Sequence, residues 1–211
     1  MKTQIVSLII LCLALAAVPA LAQTLYDNGP INGGADGFNI SYGFVVSDSF
    51  TLSANSTVGG FALGTWEFPG DTLSSLDWSI TSLENGGTMF GSGTVSGKNL
   101  SDQYLSTNQF GYDIDKITVT GLNVGLPGGT YWLNLDNAQV SNDDPLAWDE
   151  NSGVGCQSNG CPSLASETSV GTIPSESFTI TGGGTTPEPS SIMLFGSGIL
   201  GLAGILRRKL M

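Results

Sequence analysis

The sequence predicts an all-β domain, an antiparallel β-sandwich of jelly-roll type. Three observations predict it. No stretch of the central chain repeats its apolar residues at a 3.6-residue period, and short β-branched and aromatic runs occur instead. Thirty glycines and nine prolines punctuate those runs. Hydrophobic residues make up 40% and charged residues 11%, enough apolar material for a core and too little charge for a disordered chain.

The candidate strands follow in order, each a β-rich run bounded by turn residues. Phe44–Leu52 comes first, then Thr57–Trp66, in which Phe61, Leu63 and Thr65 share one face. Ser75–Thr81 lines up Leu76, Trp78 and Ile80, which assigns Trp78 to the core. Thr88–Val95 and Asp115–Thr120 are the next two runs. Within Gly129–Asn137, Tyr131, Leu133 and Leu135 face inward while Trp132, Asn134 and Asp136 face the other way. Leu126-Pro127-Gly128-Gly129 ahead of it loosely resembles a strand opening common in secreted bacterial β-sandwiches, which concerns fold alone. Ser177–Thr181 closes the domain.

Both ends carry targeting patterns. Met1-Lys2-Thr3, an apolar run from Ile5 to Val18 and Pro19-Ala20-Leu21-Ala22-Gln23 make a signal peptide of residues 1–22. Signal peptidase would cut between Ala22 and Gln23, with Ala20 as the second small residue of its site. Cys12 follows the bulky Leu11, which argues against lipid modification. At the other end, residues 182–189 form a Gly/Thr/Pro linker ending in Pro187-Glu188-Pro189, and 190–206 a transmembrane helix. Its apolar part, Ile192–Leu206, gives about 22 Å of helix, short of the ~30 Å hydrocarbon core. The basic tail 207–211, with Arg207, Arg208 and Lys209, places that end in the cytoplasm and residues 23–181 outside.

Pro-Glu-Pro, a short apolar helix and a basic cluster, in that order, resemble the PEP-CTERM sorting signal of Gram-negative bacteria. The same tail is also called the ice-binding-protein C-terminal domain, a label without implication for ice. The resemblance covers Thr186 to Met211. It implies recognition by an exosortase at Pro187, Glu188 and Pro189, with transient anchoring in the inner membrane. Delivery to the cell surface or extracellular matrix, in a setting of exopolysaccharide production, would follow. Removal of the tail and its retention as an anchor both stay open.

Between the ends, composition excludes more than it assigns. Of eighteen acids all but Glu188 fall there, against only Lys98 and Lys116, which argues against a nucleic-acid partner. The absence of histidine removes the Ser-His and Cys-His nucleophile pairs and the usual zinc sites. Paired carboxylates remain, such as Asp149 with Glu67 or Glu150, but no motif supports them, and the expectation is a non-enzyme. Cys156 and Cys161, with four residues between them in an exported loop, are expected to form a disulfide.

The densest acidic stretch is Asn142–Gly153. Asp143, Asp144 and Asp149 in a loop would suit calcium, and a merely solvated acidic loop fits equally. Trp148, beside Asp149, Glu150 and Asn151, would stack on a sugar if the loop were a calcium-assisted carbohydrate site, or else cap the core. Trp66 and Trp132 are further sugar-platform candidates because their strand parity opposes the apolar rows.

Overall fold

The computed structural model describes residues 22–183. Most of the signal peptide, including Ala20, and the linker, spanning helix and basic tail from residue 184 onward lie outside the described residues. Among the described residues no helix is long and apolar enough to cross a membrane.

Among the described residues thirteen strands form: β1 (Thr24–Asp27), β2 (Gly37–Asn39), β3 (Val46–Leu52), β4 (Ser56–Glu67), β5 (Leu73–Leu83), β6 (Gly86–Ser96), β7 (Leu100–Thr107), β8 (Asp113–Leu126), β9 (Gly129–Val140), β10 (Ala147–Asp149), β11 (Ala165–Glu167), β12 (Gly171–Ile173) and β13 (Phe178–Gly182). They pair antiparallel in two sheets, a sandwich-like arrangement. In the seven-stranded sheet, β4 pairs along its length with β8, which pairs in turn with β7. The other edge of β4 is shared, its first part by β13 and its last residues by β10. β1 then flanks β13, and β2 flanks β10. The six-stranded sheet runs β12-β11-β3-β9-β5-β6.

Cross-strand rows explain why these segments pair as they do. Phe61 lies opposite Val119 and Leu63 opposite Ile117, while Trp78 meets Leu135 and Ile80 meets Leu133 in the second sheet. All eight are buried in one apolar cluster, Trp78 included, as its parity predicts. Each large side chain withdrawn in this way contributes about 1.5–3 kcal/mol. Alternation read from the sequence therefore locates β3–β6, β8, β9 and β13.

The other strands carry no such pattern. β7 (Leu-Ser-Asp-Gln-Tyr-Leu-Ser-Thr) is a mostly exposed edge strand, so burial does not enforce apolar alternation on it. β10 lies inside the stretch expected to be a loop and is inserted between β2 and β4.

β1 and β13 run side by side, with Thr24 opposite Thr181 and the Gly182 N–H donating to the Gln23 carbonyl at 2.7 Å. Gln23 is thus adjacent to the last strand. Gln23–Gly183 is one compact unit.

Candidate functional site

The acidic stretch does not form the loop its composition suggests. Trp148 is on β10, fully buried, with its indole N–H donating to the Ser177 carbonyl at 2.9 Å. Its ring meets Phe178 edge-on, 5.6 Å between centroids. Trp148 is therefore a core residue and no sugar platform, because its apolar surface is already spent on the sandwich interior.

Asp149, its neighbour, projects to the opposite face of the sheet. One carboxylate oxygen accepts from the Trp66 indole (2.7 Å) and the Gly33 N–H (3.0 Å). The other accepts from the Asn32 N–H (2.9 Å) and the Ser177 hydroxyl (3.1 Å). Four donors occupy the lone-pair directions a cation would need. Asp143 is exposed and Asp144 half-buried in the turn after β9, and no metal-ligand group among the described residues includes Asp143, Asp144 or Asp149. The calcium site expected from those three acids is thus corrected.

Glu150 and Asn151 are also buried and internally bonded. Glu150 accepts from the Ser152 hydroxyl, and the Asn151 amide donates to the Pro30 carbonyl at 2.6 Å. These bonds hold residues 28–36 flat across the outer face of the first sheet. Gly64 permits that contact, since a Cβ there would lie 2.7 Å from Ile31 Cγ2. Gly33, at φ +60°, passes equally close to Ile114.

Trp66 does face outward, as its parity indicates, yet it is 8% exposed. Gly37, the first residue of β2, lies close against it, and Phe110 stacks on it at 5.7 Å. Trp132 is half-buried and pairs opposite Ser49 on β3 and Thr81 on β5. Cys156 and Cys161 form the expected disulfide. Asp149 and Glu67 point from opposite faces of the same sheet, so they do not flank a common cleft.

A different set of acids converges. On the inner face of the first sheet, the row Leu63–Ile117 gives way to Thr65 opposite Asp115, then Glu67 opposite Asp113. β7 brings Asp102 alongside, opposite Ile117. One carboxylate oxygen from each of Glu67, Asp102 and Asp115 lies within 4.8 Å of the others. Glu67 is 1% exposed; it accepts only from the Thr65 hydroxyl, at 3.1 Å, and its second oxygen has no partner. Asp102 accepts the Leu73 N–H at 2.7 Å through one oxygen, and the other is likewise unpartnered.

Burial first, then Asp102 and Asp115, push the Glu67 carboxyl up to about 8, with the Thr65 hydroxyl opposing. Burial, then Asp102 and Asp113, push Asp115 to about 6. Burial also raises Asp102, against the Leu73 N–H. These three residues are far apart in sequence, and only the pairing of β4, β8 and β7 unites them. A partial signal was present, since Glu67 continues the inward parity of Phe61, Leu63 and Thr65.

A second pair of buried acids, Asp48 and Glu176, sits where β3 meets the chain before β13. Asp48 accepts the Glu176 N–H at 2.6 Å, and both side chains are fully buried. Burial holds both carboxyls well above the ordinary range, Asp48 adding to the effect on Glu176.

Comparison with known proteins adds one finding. The description "PEP-CTERM protein-sorting motif" matches residues 185–209. The chain therefore carries that sorting motif, which includes Pro187, Glu188, Pro189, Arg207, Arg208 and Lys209. The motif implies processing by an exosortase. No curated protein matches the chain.

Proposed function

We propose that the chain is a non-catalytic exported protein of a Gram-negative bacterium, sorted by an exosortase to the cell surface or exopolysaccharide matrix. The observation that carries this reading is the sorting motif at 185–209. The signal-peptide pattern at residues 1–22 and the disulfide between Cys156 and Cys161 agree with export. Seventeen acids against two lysines in the exported domain favour solubility and keep it apart from other anionic surfaces. The carbohydrate-module alternative loses its central residue with the burial of Trp148.

The test is the intact mass of the protein recovered from surface and medium of its native host. A species beginning at Gln23 and ending near Pro187-Glu188-Pro189 is expected. Replacing those three residues by alanine should leave the precursor unprocessed. A mature species retaining Arg207-Arg208-Lys209 would overturn the exosortase reading and make the protein a tail-anchored one.

A further inference from the structure

Carboxylates collected at the edge of a protein are common and usually solvated, so three acids in proximity carry no argument by themselves. The arrangement at the end of β4 has a second property. Glu67 is almost wholly withdrawn from water, yet one of its carboxylate oxygens meets no donor, and neither does one oxygen of Asp102. Asp71, close enough to act on Glu67, has a third such oxygen. Buried acceptors without donors are rare because each forfeits the hydration it had in the unfolded chain. A fold that supplies four donors to Asp149 has the means to supply them, and here it does not.

Oxygen ligands of Ca²⁺ lie 2.3–2.6 Å from the ion, so two ligands on opposite sides are separated by about 5 Å. The mutual limit of 4.8 Å among the Glu67, Asp102 and Asp115 oxygens fits one ion at their centre. The donor set is all carboxylate, with neither sulfur nor imidazole, which selects hard cations over zinc or copper. Lys116, next to Asp115, is exposed, and its alternate position on the strand sends it to the other face. The geometry points to a hard divalent cation of calcium size held by Glu67, Asp102 and Asp115 at the acidic mouth of the sandwich. This inference is independent of the sorting reading, since it rests on the exported domain alone.

The site would tie β4, β7 and β8 together where the apolar core ends, and through Asp102 it would also hold the start of β5.

The experiment is calorimetric titration of the purified full-length chain, stripped with chelator, with calcium chloride at pH 6 and pH 8. Magnesium chloride serves as a second titrant. One Ca²⁺ per chain is expected, with a raised melting temperature. Glu67→Gln and Asp102→Asn should each weaken binding at least tenfold while melting cooperatively in chelator. Asp143→Asn with Asp144→Asn should leave it unchanged. No heat and no thermal shift at millimolar calcium would overturn the proposal, as would wild-type affinity in Glu67→Gln. Should that variant fail to fold, Asp115→Asn applies the same criterion to the opposite strand.

Discussion

Asp149, on β10, and Glu67, on the neighbouring β4, are buried carboxylates on opposite faces of one sheet. Asp149 has four donors: two backbone N–H groups, an indole and a hydroxyl. Glu67 has one, and its nearest charged neighbours are other acids. The first is a structural pin that fastens a loop to the sheet. The second is a charge the fold leaves uncompensated. The two are alike in burial and differ in the count of donors.

The largest effect should come from removing the pin. Asp149→Ala strands the Trp66 indole and two backbone donors, and should cost about 3–5 kcal/mol in chemical denaturation. Glu67→Gln, measured in chelator above pH 8, should be neutral or stabilising, because there it deletes a charge that burial disfavours. Equal destabilisation by the two substitutions would break the comparison.

The pH dependence sharpens it. Glu67 and Asp115 have folded values of about 8 and about 6, raised above the unfolded carboxylate range. Stability from such groups is complete below the unfolded value near 4 and is lost as pH rises through the folded values. Asp48 and Glu176 act in the same direction. Chelated protein should therefore lose stability between about pH 4 and pH 8, by at least about 2 kcal/mol. Glu67→Gln should flatten the upper part of that slope. A melting temperature that rises over this range would contradict the assignment.

Smaller effects lie farther from both carboxylates. Opening the Cys156–Cys161 bridge by double substitution to serine should cost about 2 kcal/mol or less, since the loop it closes is short. Trp66→Phe keeps the stack against Phe110 and removes one of the four donors to Asp149. It should cost about 1 kcal/mol, read from the denaturation midpoint.

How much of this was legible depended on whether a residue's role is set by local pattern. Phe61, Leu63, Leu133 and Leu135 announce their strands because an alternating row must face the core. Trp148 stayed open between stacking on a sugar and capping the core because its surroundings are acidic, although a tryptophan between Ala147 and Asp149 can face inward from a three-residue strand. The acids of Asn142–Gly153 drew attention by density, and density along the chain says nothing about convergence in space. Asp102 and Asp115 could be joined to Glu67 only by knowing that β7, a polar edge strand, lies beside β8.

The last strand has a mechanical meaning. β13 is hydrogen-bonded on both sides, to β1 and to β4, and its final residue leads directly to the sorting tail. A force directed along β13 would act at right angles to the bonds of both ladders. Such a load is borne in shear, so the bonds must yield together instead of peeling one by one. The chain thus leaves the domain from a strand that is paired on both of its edges.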